Sequence, residues 1–380
     1  MPVAAYFDDY CMVEPTWCRS TAKDALRVVH RLMGMSLATG PKDIPFRFKN
    51  CFLGVITDFS RFHREGVVVV QSKPMRVAKA IVRITEFLAA GTMRQTDAGS
   101  LAQKLEYTTA SGANGRIGRA ALAALRAHQY GDTEDIEDPL AEALRFFLQL
   151  LPLLPPRILR FRKRKRRPIV VYTDAMYTPG AAIPAQVGVV IYDPEAPVFH
   201  PPMANDDACD YRWRHTSAVV SPEQLDAFRP REQYIGQLEA LAAVLAYSSH
   251  PDQFRDRDVI HFIDNTGAVM GIAKGYSRDI DSARLIHFFH SIACAIGVNS
   301  WFEYVASGAN ISDLPSRGEF EKLNELGSVF FEPVWPPLGA SWAATFAAAY
   351  EAYAPRPSRA TLRFKREVQS AIESIRSFAA

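Results

Sequence analysis

Pro168-Ile169-Val170-Val171-Tyr172-Thr173-Asp174-Ala175 is an apolar, β-branched run that closes on a single carboxylate. Residues of this kind, bounded by a proline, read as a buried central strand, so Asp174 is carried by a rigid element and not by a loop. A charge desolvated there needs a partner. Three later segments place acids in comparable surroundings: Glu239 in Tyr234-Ile235-Gly236-Gln237-Leu238-Glu239-Ala240-Leu241, Asp264 after Val259-Ile260-His261-Phe262-Ile263, and Asp313 in Asn310-Ile311-Ser312-Asp313-Leu314-Pro315-Ser316-Arg317. Four acids with no Cys or His among them suit a hard, oxygen-seeking cation such as Mg²⁺ or Mn²⁺, not zinc. Taken singly, Asp264 or Asp313 would be a cap and Glu239 an exposed helix residue. Their joint occurrence is what points to a cation.

The pattern around this stretch predicts strands at the Asp174 run, at Gln186 to Tyr192 and at Tyr211 to Val220. A helix follows over Arg231 to Ser249, then a strand over Asp258 to Asp264, a helix over Asp281 to Ile296 and a strand over Asn299 to Val305. Asp313 stands near the start of a last short helix. Glu239 is four residues from Ile235 and three from Ala242, which puts it at the edge of an inward face. The interval from Asp174 to Glu239 exceeds what three short strands require and implies an insertion over residues 193 to 230, where Pro and charge are dense. Asp206, Asp207 and Asp210 decorate that insertion, Asp279 and Asp281 read as helix-start residues, and His261, His287 and His290 read as structural.

Composition bounds the rest: 380 residues, 48% hydrophobic and 22% charged, with a net charge of +3, describe a globular chain with room for two or three domains. Cys11, Cys18, Cys51, Cys209 and Cys294 form no CxxC pair and no zinc spacing. Reduced thiols in an intracellular protein are expected, with nucleus and cytoplasm left open. No signal peptide is evident, and the apolar run from Phe146 to Leu154 is too short to span a bilayer and is broken by Pro152, so it is expected to be core. The block Arg157-Ile158-Leu159-Arg160-Phe161-Arg162-Lys163-Arg164-Lys165-Arg166-Arg167 is too densely basic for a core. A phosphate contact, a solvated linker and a nuclear-localisation signal all fit it, with Arg162, Lys163, Arg164, Lys165, Arg166 and Arg167 as the candidate nucleic-acid contacts.

The first third opens with Tyr6-Phe7-Asp8-Asp9-Tyr10 behind Val3-Ala4-Ala5, where Asp8 and Asp9 at a hairpin tip are candidate metal ligands. Ser20 to Met33 reads as a capped amphipathic helix with Ala25, Val28, Val29 and Leu32 at helical spacing, followed by a Phe52-Leu53-Gly54-Val55 hairpin and a strand at Gly66 to Val70. Lys73 to Ala127 is helical in pattern, with Val77, Ile81, Ile84 and Leu88 on one face and with Arg116 and Arg119 spaced to suit phosphates. The tail from Glu319 to Ala380 shows helical sequence and no chemistry.

These motifs resemble those of retroelement polyproteins. Tyr6-Phe7-Asp8-Asp9 is similar to the Tyr-x-Asp-Asp motif of reverse transcriptases, and the helix, Phe-Leu-Gly hairpin and strand that follow resemble the end of a polymerase palm. Thr173-Asp174-Ala175, Gln237-Leu238-Glu239-Ala240, Ile263-Asp264-Asn265-Thr266 and the segment from Asn310 to Gly318 resemble, in type and order, the four motifs of ribonuclease H, and the last is similar to that of DIRS-like elements. The resemblance implies the C-terminal part of a reverse transcriptase: a partial palm over 1–72, a helical thumb and connection over 73–156, a basic linker over 157–167, a ribonuclease H-like domain over 168–318 and a helical tail over 319–380. That domain would be α/β, a mixed five-stranded sheet with flanking helices.

The activity implied is hydrolysis of the RNA strand of an RNA–DNA hybrid with two Mg²⁺ or Mn²⁺ ions. By the same resemblance Asp174 would bridge both ions, with Glu239 and Asp264 on one and Asp313 on the other, while Asn265, Thr266, Tyr276 and Arg278 would face the hybrid. The loop Ala306-Ser307-Gly308-Ala309 lacks the His that many ribonucleases H carry, so product release is expected to be slower or to use another group. With five residues before Tyr6, polymerase activity is not expected. The sequence also admits a catalytically decayed or repurposed fragment that binds nucleic acid without cutting it. A three-prime to five-prime exonuclease fits less well, because Ala175 and Met176 follow Asp174 where Asp-x-Glu is usual. A transposase core fits poorly because Asp313 stands where a helical Glu is normal.

Overall fold

The computed structural model describes residues 3–6, 9–35, 46–112, 115–162, 166–199, 209–354 and 359–379. They fall into two compact units, Met1–Val70 with Ile158–Arg162, and Gln71–Arg157 with Lys163–Ala380.

In the first unit, β1 (Val3–Tyr6) and β2 (Asp9–Met12) form an antiparallel hairpin with Tyr6 opposite Asp9. Helix α1 (Arg19–Leu32) forms where helical spacing predicts it, but without a side-chain cap. The residues it buries are Ala22 and His30, whereas Val28, Val29 and Leu32 are exposed. Strands β3 (Lys49–Phe52) and β4 (Val55–Asp58) meet at a turn in which Leu53 and Gly54 both have positive φ, 49° and 75°. After α2 (Phe62–Glu65), β5 (Val67–Ser72) joins β4, and β6 (Arg157–Arg160) adds to its far side, giving the order β3-β4-β5-β6. The start of the basic block is therefore an edge strand, with Ile158 exposed and Leu159 half-buried.

The second unit begins with α3 (Pro74–Ala90), α4 (Gln95–Ala110), α5 (Leu122–Gln129) and α6 (Asp138–Leu150). The sheet follows: β7 (Ile169–Tyr177), β8 (Ala185–Tyr192), the short pair β9 (Val198–Phe199) and β10 (Cys209–Asp210), then β11 (Trp213–Val219) and α7 (Pro222–Leu225). Next come α8 (Ile235–Ser249), α9 (Pro251–Phe254), β12 (Asp258–Ile263), α10 (Thr266–Lys274), α11 (Ile280–Ile296) and β13 (Asn299–Tyr304). The chain ends with α12 (Asp313–Ser316), α13 (Glu321–Glu325), β14 (Val329–Phe330), α14 (Trp342–Tyr353) and α15 (Arg359–Ala379).

The sheet is mixed, in the order β13-β12-β7-β8-β11-β14. β7, β8 and β11 run antiparallel to their neighbours in turn, while β12 is parallel to both β7 and β13. The five expected strands are present, and two residues of the tail add a sixth, β14, parallel to β11. Every second residue of β7 and β8 (Ile169, Val171, Val187, Val189, Ile191) meets Leu238, Leu241 and Leu245 of α8 in one core. Each such side chain contributes about 1.5–3 kcal/mol on burial. A second core joins Ile84, Leu105, Leu125, Phe146 and Phe147 of the early helices to Trp342 and Phe346 of α14 and to Phe364, Val368 and Ile372 of α15. The apolar run around Phe146 belongs to this core, and among the described residues no helix is long and apolar enough to cross a membrane. Cys18, Cys51 and Cys294 are free thiols.

Candidate metal centre

Parallel pairing of β7 with β12 puts Thr173 opposite Ile263, so Asp174 and Asp264 follow at the same level on neighbouring strands. α8 crosses beneath, buried without interruption from Gln237 to Ser248, and brings Glu239 to the same place. One oxygen from each of Asp174, Glu239 and Asp264 lies within 4.8 Å of the other two, the one such grouping of metal-ligating side chains among the described residues. Asp174 and Glu239 are buried and Asp264 is half-buried.

Burial pushes the Asp174 carboxyl up to about 6; the Ser316 hydroxyl works against that rise, and the charges of Asp264 and Asp313 add to it. Burial drives Glu239 further, up to about 10, with Asp174 and Asp264 as the like charges beside it. Its Oε2 is buried with no hydrogen-bond partner. Three carboxylates this close cannot all ionise without a counter-charge, and an orphaned buried oxygen is costly unless something coordinates it. An all-oxygen donor set of this kind fits Mg²⁺ or Mn²⁺.

Asp313 stands outside the group of three. It opens α12, and its Oδ1 accepts from Arg317 Nε at 2.9 Å, with Arg317 Nη2 at 2.8 Å. The turn that carries it is nonetheless tied to the site. Ser316 donates its hydroxyl to Asp174, Asn310 Nδ2 donates to the Thr173 carbonyl at 3.1 Å, and Gln186 Nε2 donates to the Pro315 carbonyl at 3.1 Å. Across the opening, Ser307 donates to Asp264 Oδ2 at 2.8 Å, from the loop in which a His is absent. Sequence reasoning did not single out Ser307, Ser316, Asn310 or Gln186. The available signals were the hydroxyls and amide inside the Asn310 to Arg317 motif, and the lone Gly188 among the valines of β8, which marks a close approach.

The buried histidines are structural. His261 meets the Thr173 hydroxyl at 2.9 Å, and burial holds it neutral, down to about 3. His287 and His290 bond the Trp342 and Ile272 carbonyls at 3.0 and 2.8 Å. Asp279 caps α11 through the Ser282 amide at 2.8 Å, and it shares Arg231 with Asp281.

Of the candidate nucleic-acid contacts, Asn265 accepts from the Ala268 amide at 3.0 Å and so caps α10 immediately beside Asp264, with Thr266 exposed next to it. Tyr276 and Arg278 are exposed in the turn after α10. Arg162 donates to the His63 and Arg64 carbonyls at 3.1 and 3.2 Å, and Arg166 pairs with Glu195 at 2.8 Å. Arg167 is exposed, its amide held by Glu195 at 2.6 Å, while Lys163, Arg164 and Lys165 lie outside the described residues. Arg119 donates to the Lys274 carbonyl at 3.1 Å, and Arg116 reaches the Ser300 carbonyl at 3.5 Å with its guanidinium over Phe302. Their spacing suited phosphates; here both groups bond backbone carbonyls. Asp8 lies outside the described residues, and Asp9 is placed in β2 by its backbone alone.

No protein-family model matches the chain, and no curated protein matches it. Among solved structures it is similar to the RNase H1 of the halophilic archaeon Halobacterium salinarum NRC-1, at 15% identity over 41% of this chain and 99% of that chain, with a TM-score of 0.28. It is similar to the N-terminal RNase H domain of a Mycobacterium tuberculosis protein, at 11% identity over 41% and 97% of the two chains, TM-score 0.27. It is also similar to a foamy viral protease-reverse transcriptase solved in complex with double-stranded DNA, at 14% identity over 80% of this chain and 55% of that one, TM-score 0.31. This chain spans about half of the foamy viral protein. The chain itself is a mixed α/β fold, a multi-strand mixed sheet with flanking helices.

Proposed function

We propose that this chain is a divalent-metal-dependent nuclease that hydrolyses the RNA strand of RNA–DNA hybrids, within a retroelement reverse transcriptase of DIRS-like type. The observation that carries the reading is the convergence of Asp174, Glu239 and Asp264, from two strands and a buried helix, on one point within 4.8 Å. A fold that needed these residues only for stability would not gather three like charges and leave an oxygen of one unbonded. In the proposed organisation residues 1–72 belong to a palm, 73–156 to the thumb and connection, 157–167 to a basic linker, 168–318 to the nuclease domain and 319–380 to its tail.

Asp174, Glu239 and Asp264 would hold the cations, and Asp313 would join them from α12 once it leaves Arg317. Bound Mg²⁺ or Mn²⁺ would supply an activated water and offset the charge on the scissile phosphate and the leaving oxygen. Ser316 and Ser307 keep Asp174 and Asp264 in place, and His261 braces the strand through Thr173. Thr266, Tyr276 and Arg278, all exposed, would meet the nucleic-acid strand, where the 2′-hydroxyl distinguishes RNA from DNA.

The test is cleavage of a labelled RNA–DNA hybrid in Mg²⁺ or Mn²⁺. The expected result is cutting of the RNA strand that is lost in Asp174→Asn with the fold retained; cutting undiminished in that variant would refute the assignment. Saturable Mn²⁺ binding without cleavage would instead favour a repurposed nucleic-acid-binding fragment.

A further inference from the structure

Gly188 of β8 lies directly opposite Asp174 in the β7–β8 register. A Cβ added there would stand 2.4 Å from the Ser312 carbonyl oxygen and 2.5 Å from the Ser316 nitrogen. Both are backbone atoms, which cannot swing aside as a side-chain tip can. The Ser312–Ser316 turn therefore rests on the strand because residue 188 has no side chain. Gln186 and Asn310 pin the same turn through the Pro315 and Thr173 carbonyls, and Asn310 Oδ1 accepts the Ser312 hydroxyl at 2.6 Å. Seated in this way, the fully buried Ser316 has two acceptors for its one proton, the Asp174 carboxylate and the Asp313 carbonyl at 3.0 Å. The charged acceptor gives the stronger bond.

Building on the metal-centre reading above, we propose that Ser316 is a positioning residue of that centre: its hydroxyl, delivered by a turn that a glycine at 188 admits, fixes the Asp174 carboxylate in the orientation that faces Glu239 and Asp264. A carboxylate held by an outer hydrogen bond presents its oxygens to a cation already oriented, and loss of such a bond typically weakens metal affinity about 10- to 100-fold. Gly188 acts one step further out, by letting the turn reach that distance.

The experiment measures Mn²⁺ affinity of the full chain by titration calorimetry and by the electron paramagnetic resonance of free Mn²⁺, with circular dichroism and metal-free melting as the control for folding. Ser316→Ala is expected to weaken binding about tenfold or more, and Gly188→Ala comparably, because the displaced turn withdraws the hydroxyl. The double variant is expected to be no weaker than the worse single one, since both changes remove the same bond. Ser316→Cys, close in volume but a weak donor, should fall between wild type and Ser316→Ala and carries the comparison if the alanine variant does not fold. Unchanged affinity in a folded Ser316→Ala protein whose wild type binds Mn²⁺ would overturn the positioning role alone. A wild type with no saturable Mn²⁺ site, or binding that survives Asp174→Asn, would bring down the metal-centre reading and this proposal with it.

Discussion

Asp193 and Asp174 are both buried at the same sheet, one at the end of β8 and the other within β7, and their surroundings differ in one respect. Asp193 faces Arg257, itself almost inaccessible at 1%, at 3.0 Å. Burial works to raise the Asp193 carboxyl, but the hydrogen bond from Arg257, with those from the Glu195 amide and Gln253, holds it below the usual carboxylate range. Arg257 also bonds the Arg167 carbonyl at 2.8 Å, so this pair ties the end of the basic block to the sheet. Asp174 has a serine for a partner and two further acids for neighbours, and its carboxyl moves the other way, up to about 6. One buried acid is neutralised from within the chain; on the proposed reading the other would be neutralised by a bound cation. On the proposed reading, the contrast separates a structural acid from a functional one where burial alone does not.

The strongest way to break this comparison is at Asp174. Asn keeps the shape and removes the charge, and hybrid cleavage should fall on the order of a thousandfold or more, the equivalent of several kcal/mol of barrier. Metal-free melting should hold or rise. Arg257→Ala should do the opposite, costing about 3–5 kcal/mol in urea denaturation by leaving Asp193 buried and unpaired. An Arg257→Ala protein as stable as wild type would erase the distinction.

Glu239→Gln sharpens the contrast in a metal-free protein. The folded carboxyl lies near 10 against an ordinary 4.5, so between those values the folded state keeps a proton that the unfolded state gives up. Stability from the neutral acid is complete below about 4.5 and is lost as the pH rises through that window toward 10. The Gln variant, neutral throughout, should melt about 2–4 °C higher at neutral pH and show a flatter decline with pH. Saturating Mn²⁺ should raise the wild-type melting temperature and leave the variant nearly unmoved. The smallest effect is expected at Ser307, which sits in an exposed loop. Ser307→Ala removes one hydrogen bond, about 0.5–1.5 kcal/mol, and Mn²⁺ affinity should fall no more than roughly tenfold.

The strands and the elements that carry Asp174, Glu239 and Asp264 were readable because each is a local pattern. Ile169 to Tyr172 announces a strand by composition, and the spacing of Ile235, Leu238, Ala242 and Leu245 announces the helix that carries Glu239, a helix buried throughout from Gln237 to Ser248. What was not readable depends on contacts far apart in the chain. Gly188 is simply a glycine until the Ser312–Ser316 turn lies on it, and Ser316 is one hydroxyl among many until it meets Asp174. The Asp313–Arg317 pair, spaced four apart on one helical turn, could have been anticipated from spacing alone. The amphipathic helix expected over Ser20 to Met33 is present as α1, and its apolar face at Val28 and Leu32 is exposed. Density of charge misled at Arg157–Arg160, where the adjacent Ile158 and Leu159 sit in an edge strand.

The second core has a consequence for the order in which the molecule can be made. Val77 and Ala78 leave the ribosome well before the members of the same core on α15, Phe364 and Val368. Helices α3 to α6 therefore emerge with a greasy face that nothing yet covers, and the sheet with its own core can be finished before they are. Closing so distant a contact is slow, and until it closes the early helices are the natural place for a chaperone to hold the chain.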